Sequence, residues 1–301
     1  MSDTQLRKEN AKLGFIGLGL MGSRFLMRLQ AEGWKIRGWN RSRSAAAVAL
    51  REQGLAIDET LAGLVHQSDV LLSSLADDKA VRAVYLGNDG VFAHVLPGTT
   101  ILEMSTISPT LSALLHQEAR KHHVSLIDLA VSGSTPAVQA GTVTLFAGGE
   151  PEVFSRCVPI FESIAKQWYR MGPATAGIRM KLVVNLLLGL DMEAIAEAVS
   201  LSEHLKLDRN LVLDVLPKTA VIAPAMLGKF SKIKSDDYSP QFPLYLMSKD
   251  LDLVDDAARE SGAELPAASV TKELFEEALA EGGQLDMSAI TVHVRDLTSR
   301  Q

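Results

Sequence analysis

The string Gly17-Leu18-Gly19-Leu20-Met21-Gly22 constrains the fold of this chain more than any other feature. It closes an apolar run at residues 13–16 and opens a stretch, residues 20–30, whose apolar spacing is helical. Three glycines between a strand and a helix fit a turn whose backbone, rather than its side chains, meets a ligand. Gly17 permits the tight turn, Gly19 keeps side-chain atoms away from a diphosphate, and Gly22 lets the helix approach the strand. The start of that helix offers N–H groups and a partial positive charge to an anion. The competing reading is a glycine-rich turn with no ligand. The strand–turn–helix context favours the phosphate cradle.

The rest of the first half repeats that alternation. Strands are expected at residues 35–39, 69–72, 99–103, 125–129 and 143–147, and helices at 42–53, 79–86, 109–121 and 151–164. Short apolar runs alternating with helices imply βαβ units and a mostly parallel sheet. Gly172-Pro173 marks a turn, and only helical signals follow, at residues 180–205, 209–216, 223–230, 244–261 and 267–281. The first of these is apolar on most faces, as in a helix buried on several sides. A chain of 301 residues then reads as two domains, residues 1–170 and 171–301.

Composition removes several function classes. Lys plus Arg is 30 against 36 for Asp plus Glu, a net charge of −6, so no broadly basic nucleic-acid surface is expected. The one cysteine, Cys157, makes no internal disulfide, which fits a reducing compartment. The first ten residues are polar and lack a secretory leader's apolar core. The most apolar stretch, residues 182–190, contains Asn185 and Gly189 and is too short to span a bilayer. A cytoplasmic protein bound to neither membrane nor nucleic acid is expected. The histidines are scattered, no metal site is expected, and no Gly-x-Ser-x-Gly or His-Glu-x-x-His string supports a hydrolase.

The second strand ends at Asn40-Arg41-Ser42. An acidic residue there would take the ribose hydroxyls of NAD, whereas a neutral Asn followed by Arg suits the 2′-phosphate of NADP. The preference expected is NADP, with NAD the alternative; Arg41 also reads as a surface charge and Ser42 as a helix cap. Lys181 and Asn185 lie four apart on the long apolar helix and share one face. A lysine among apolar neighbours either snorkels to solvent or serves as an acid in a cleft, where desolvation lowers its pKa. Ser132-Gly133-Ser134 and Ser105-Thr106 follow strands; such loops cradle carboxylates in some proteins and are plain polar turns in others.

Together these strings resemble the β-hydroxyacid dehydrogenase family, over roughly residues 12–280. Phe15 to Gly22 is similar to its opening signature, Glu103-Met104-Ser105-Thr106-Ile107-Ser108-Pro109 to its Ser-Thr loop, and Val131-Ser132-Gly133-Ser134 to its carboxylate loop. Lys181-Leu182-Val183-Val184-Asn185 is similar to its catalytic Lys-x-x-x-Asn, and Lys249-Asp250-Leu251 to a later motif. The resemblance implies an α/β fold: an N-terminal Rossmann domain with a parallel sheet, a long interdomain helix, and an all-helical second domain. It implies an NADPH-dependent oxidoreductase interconverting small aldehyde or keto acids and hydroxy acids, assembled as a homodimer or homotetramer. Lys181 is then the catalytic acid/base and Asn185 lies with the substrate. Leu75, Ala76, Thr106 and Lys249 join Gly17, Leu18, Gly19, Leu20, Met21, Gly22, Asn40, Arg41 and Ser42 along the cofactor. Ser132, Gly133 and Ser134 hold the substrate carboxylate.

The chain departs from the family pattern at Phe25, Leu26 and Arg28, which puts local packing in question. Ser134 replaces a common Gly, and with Asn40-Arg41-Ser42 it is similar to the glyoxylate/succinic semialdehyde reductase branch. Imine reductases share the implied architecture but usually lack the lysine. They, and a non-catalytic NADPH-binding scaffold, are the alternatives. Val138, Leu188, Phe242 and Leu246 are candidate pocket walls.

Overall fold

The computed structural model describes residues 5–42 and 45–299, apart from the side chains of residues 45, 46, 281, 298 and 299. The chain forms two compact units, Met1–Lys181 and Leu182–Gln301. That division falls inside the long helix rather than at the turn before it, because the first turns of the helix are built into the first unit.

In the first unit the elements run β1 (Lys12–Ile16), α1 (Gly22–Ala31), β2 (Lys35–Trp39), α2 (Ala45–Glu52), β3 (Ala56–Ile57), α3 (Leu61–His66) and β4 (Val70–Ser73). They continue with α4 (Asp78–Leu86), α5 (Val91–His94), β5 (Thr100–Glu103), α6 (Pro109–Lys121) and β6 (Ser125–Ser132). Then come α7 (Thr135–Ala140), β7 (Val143–Gly148), α8 (Pro151–Ile164) and β8 (Ala165–Gly172). The strands make one sheet in the order β3-β2-β1-β4-β5-β6-β7-β8. Strands β1 to β6 are mutually parallel, and β7 returns antiparallel to β6. Only residues 133–142 join those two strands, shorter than a parallel crossover needs.

The sheet is apolar on both faces, as expected where helices cover both sides. Phe15, Leu72, Leu102 and Ile127 pack with Phe25, Leu26 and Leu29 of α1 and Phe161 of α8. Ile16, Leu71, Ile101 and Leu126 pack on the other face with Val81 and Tyr85 of α4 and Leu111 and Leu115 of α6. Burying one such side chain stabilises by about 1.5–3 kcal/mol. The departures at Phe25 and Leu26 are thus core positions, and Arg28 Nε donates to the Ser163 carbonyl at 2.9 Å.

Strand β8 was not expected from the sequence. Its residues, with Lys166 and Arg170 exposed, carry no apolar alternation, and such charges are typical of an edge strand. Helix α2 starts at Ala45 rather than Ser42; residues 43 and 44 of the expected helix lie outside the described residues. Helices α3, α5 and α7 were also unexpected, being too short to show a helical period.

Helix α9 (Ala176–His204) begins in the first unit and continues into the second. The second unit adds α10 (Arg209–Val215), α11 (Leu227–Ser235), α12 (Leu244–Ser261), α13 (Pro266–Gly282) and α14 (Ile290–Ser299). Its core gathers Met192, Ile195, Phe230, Met247, Leu251 and Phe275. A buried pair, Lys229 and Asp286 at 2.7 Å, ties α11 to the turn before α14. Among the described residues no helix is long and apolar enough to cross a membrane.

Candidate active site

The glycine turn has the geometry its sequence asks for. Gly17 adopts φ 92°, a left-handed conformation that favours glycine. A Cβ on Gly22 would lie 1.9 Å from the Gly17 carbonyl oxygen and 2.8 Å from Phe15, so only glycine permits this approach of α1 to β1. A Cβ on Gly19 would meet nothing within 4 Å, so this part of the turn opens on free space. No side chain caps the N-terminus of α1; the Ser23 and Arg24 N–H groups donate to the Gly19 and Met21 carbonyls, and the helix end still presents its partial positive charge to an anion. These residues fit the diphosphate of a dinucleotide.

Asn40 departs from the simplest expectation. Its Oδ1 accepts the Leu18 N–H at 3.0 Å, and its Nδ2 donates to the Ser42 carbonyl at 2.9 Å and hydroxyl at 3.1 Å. The amide is spent on the turn itself, joining the end of β2 to the glycine loop. Arg41 and Ser42 are the exposed side chains here.

Farther along the sheet, the register places Ser73, Glu103 and Asp128 side by side, the first two at the carboxyl ends of β4 and β5 and the third in the middle of the longer β6. None of the three was singled out from the sequence. Two carboxyls within apolar strand runs were the available signal, since buried charges need partners. Glu103 Oε1 accepts the Ser105 N–H at 3.0 Å and the Ser73 hydroxyl at 3.3 Å. Burial pushes the Glu103 carboxyl up to about 7, against hydrogen bonds from Ser105 and Ser73 that pull it down. Ser105 Oγ in turn accepts the Leu75 N–H at 2.8 Å. The loops carrying Leu75, Ala76 and Thr106 are thereby joined.

Asp128 performs a different task. Its Oδ1 accepts from Thr175 N–H and from His116 Nε2, and its Oδ2 from Ile178 N–H, each at 2.9 Å. The carboxylate pins the start of α9, where Thr175 is held at φ 73°. Lys181, half-buried, lies one turn beyond Ile178 on that helix. Ser132 ends the same strand that carries Asp128, Gly133 follows at φ 151°, and exposed Ser134 precedes α7. The glycine turn, Asn40 to Ser42, Leu75-Ala76, Ser105-Thr106 and Ser132 to Ser134 thus all follow the carboxyl ends of parallel strands. Ligands of open α/β sheets bind at that edge.

In the second unit Asn185 is fully buried and donates to Asp250 Oδ2 at 2.5 Å, while Lys249 Nζ lies 2.8 Å from Asp250 Oδ1. The Asn185 amino group is therefore taken by Asp250; its Oδ1 has no hydrogen-bond partner. Val138, a candidate pocket wall, is instead part of the core of the first unit. Among the described residues no group of three or more His, Cys, Asp or Glu is placed to hold a metal ion.

Residues 12–172 match the model of the NAD-binding domain of 6-phosphogluconate dehydrogenase. Residues 175–294 match that of the NAD-binding domain of NADP-dependent 3-hydroxyisobutyrate dehydrogenase. The chain belongs to the β-hydroxyacid dehydrogenase family. It is 33% identical to 2-(hydroxymethyl)glutarate dehydrogenase of Eubacterium barkeri, over 94% of each protein. It is 29% identical to glyoxylate/succinic semialdehyde reductase 1 of Arabidopsis thaliana, over 94% of this chain and 98% of that protein. A crystal structure of 3-hydroxyisobutyrate dehydrogenase from Salmonella typhimurium superposes with a TM-score of 0.87 at 26% identity, covering 94% of this chain and 99% of that one. As a β-hydroxyacid dehydrogenase, the protein is an NAD(P)-dependent oxidoreductase with a Rossmann-type first unit and a helical second unit.

Proposed function

We propose that the protein is an NADPH-dependent reductase of small aldehyde or keto acids, running in reverse as a hydroxyacid dehydrogenase, with Lys181 as its acid/base. One observation carries the reading: Asp128 pins the start of the Lys181 helix to the sheet edge where the glycine turn and the serine loops emerge. The relatives, named as acting on hydroxymethylglutarate, glyoxylate and succinic semialdehyde, support a small carboxylate-bearing substrate.

The glycine turn and the N-terminus of α1 receive the diphosphate. Arg41 pairs with the 2′-phosphate, Ser42 adds a hydroxyl, and Asn40 keeps the turn in shape. Leu75, Ala76 and Thr106 lie along the cofactor, as does Lys249. The bound cofactor supplies a hydride to the substrate carbonyl carbon. Ser132, Gly133 and Ser134 hold the substrate carboxylate, and Asn185 lies with the substrate. The Lys181 ammonium stabilises the developing alkoxide and gives it a proton; in the oxidative direction it takes the proton back.

Lys181→Ala should lower kcat by about 10²–10⁴-fold while leaving the Kd for NADPH unchanged. Weakened cofactor binding at unchanged kcat would falsify the assignment. Arg41→Ala should weaken NADPH by about tenfold or more and leave NADH unaffected, as expected for one lost charge-assisted contact. Initial rates on glyoxylate, succinic semialdehyde, tartronate semialdehyde, 3-hydroxyisobutyrate and a cyclic imine test the substrate class; turnover of the imine alone defeats it. The family's expected homodimer or homotetramer is supported by Leu201, Leu205, Leu207 and Leu211 of the second unit, each more than half exposed. Sedimentation as a monomer would contradict it.

A further inference from the structure

We propose that Glu103 is a positioning residue whose buried carboxyl group holds the loops after β4 and β5 in the arrangement that takes the nicotinamide cofactor. This rests on the reading that Leu75, Ala76 and Thr106 lie along that cofactor. Glu103, 2% exposed, accepts from the Ser105 N–H, and Ser105 Oγ accepts from the Leu75 N–H. A second tie lies on the far side of Thr106, where Asp78 accepts the Ser108 N–H at 2.8 Å and hydroxyl at 2.6 Å. Loop residues 74–78 and 105–108 are therefore fastened to each other on both sides of Thr106.

Packing alone does not call for a carboxyl here. The neighbouring positions of β5, Ile101 and Leu102, are apolar and fully buried. Replacing a buried charge with an apolar group of similar size is often neutral or stabilising. What an ionised carboxylate adds is stronger hydrogen bonds to the donors that order the loop. The groups facing Glu103 are Ser73 of β4, Tyr85 of α4, Ser105, and Asp128 of β6. Tyr85 OH lies 2.7 Å from Ser73 Oγ, and burial pushes its phenol up, so it stays neutral. Asp128 is engaged by His116 of α6 and by the start of α9, and its like charge adds to the effect of burial on Glu103. Glu103 therefore changes charge across the neutral range. The ionised form is the stronger acceptor, so loop order and cofactor affinity rise together as pH rises.

The test is fluorescence titration of NADPH and NADH into the wild-type protein and Glu103→Gln between pH 5.5 and 8.5, with thermal melts as a folding control. NADH lacks the 2′-phosphate, so that group's own titration is absent from its series. From pH 6 to 8 the wild-type Kd should fall about three- to tenfold more than that of Glu103→Gln, for both cofactors. Equal pH profiles in the two proteins overturn the proposal and leave the cofactor reading intact. A folded wild-type protein that binds neither cofactor overturns the reading beneath it as well. If Glu103→Gln does not fold, Ser73→Ala replaces it. Losing a donor to the ionised form should move the inflection to higher pH, and an unmoved inflection refutes the role.

Discussion

Asp128→Ala should be the most damaging single substitution at the sheet edge. The side chain is 2% exposed and accepts three hydrogen bonds at 2.9 Å, two of them from the backbone N–H groups of Thr175 and Ile178. Truncation strands both N–H donors in a buried place, at about 1–3 kcal/mol each. It also removes what holds Thr175 at φ 73°, a left-handed conformation that β-branched residues rarely adopt. A total loss of about 2–6 kcal/mol follows, a large share of a typical domain's stability. At about 2–4 °C per kcal/mol, a midpoint near 4 kcal/mol lowers Tm by about 8–16 °C. Urea unfolding followed by circular dichroism measures the loss, and steady-state rates on the surviving folded fraction should show a reduced kcat, because the start of the Lys181 helix is released. His116→Ala leaves both backbone bonds in place and should cost distinctly less. An Asp128→Ala protein within about 1 kcal/mol of wild type, with normal kcat, would show that the helix start is held by something else.

Other substitutions probe separate links. Gly22→Ala puts a Cβ 1.9 Å from the Gly17 carbonyl oxygen, so the turn must open; NADPH binding should fall sharply and stability by about 1–3 kcal/mol, as isothermal titration and melting would reveal. Gly177→Ala places a Cβ 2.5 Å from the carbonyl oxygens of Asp128 and Phe146, and should lower kcat about a hundredfold through misplacement of Lys181. Gly189→Ala, on the same helix, meets only the flexible Leu251 side chain and should do much less. The raised Glu103 carboxyl makes the wild type lose stability as pH climbs from about 4.5 to about 7, because the folded state binds the proton that the unfolded state has released. Melts of wild type against Glu103→Gln should therefore diverge by up to about 3 kcal/mol across that window, with the wild type relatively weaker at the upper end. Lys229→Met abandons Asp286 in a buried site and should cost about 3–5 kcal/mol in a urea titration.

The parts of this protein that were legible in the sequence are those with a period or a backbone demand. Residues 244–261 show an amphipathic repeat and form α12 over that span. The glycines announced the turn because the left-handed backbone at Gly17 and the close approach at Gly22 leave no room for a side chain, while Gly19 keeps open space beside them. Strand β8 was not legible, because an edge strand is defined by what it pairs with and not by an apolar alternation of its own. The antiparallel return of β7 was hidden for a similar reason: it follows from the short connection that α7 occupies. Lys181, the proposed acid/base, is a charge within an apolar helix, a pattern that by itself also fits a snorkelling side chain; the family resemblance is what points to its role. Glu103 and Asp128 read as ordinary strand residues, since a carboxyl's partners come from residues distant in sequence, such as Ser73 and Thr175. The sequence pattern puts Asn40 beside the cofactor, and the fold turns its amide back onto Leu18.

On the proposed assignment, strand β6 links substrate holding to proton transfer. Asp128 lies in its middle and fixes the start of the helix that carries Lys181; Ser132, four residues on, begins the loop proposed to hold the substrate carboxylate. The spacing between those two tasks is set by an extended strand paired on both sides, to β5 and to β7, and not by mobile loops. Two glycines, Gly148 at the end of β7 and Gly177 at the start of α9, keep that spacing tight. A Cβ on Gly148 would reach 2.5 Å from Asp128 Oδ1 and 2.7 Å from the Ala176 nitrogen, and one on Gly177 would strike carbonyl oxygens of β6 and β7. The helix start therefore rests on strand backbone, which has less freedom to yield than a side chain does. A one-residue slip of β6 would turn Asp128 to the opposite face and release α9. Preorganisation of this kind favours catalysis, because the proposed acid and the proposed anchor are held in place before a substrate arrives.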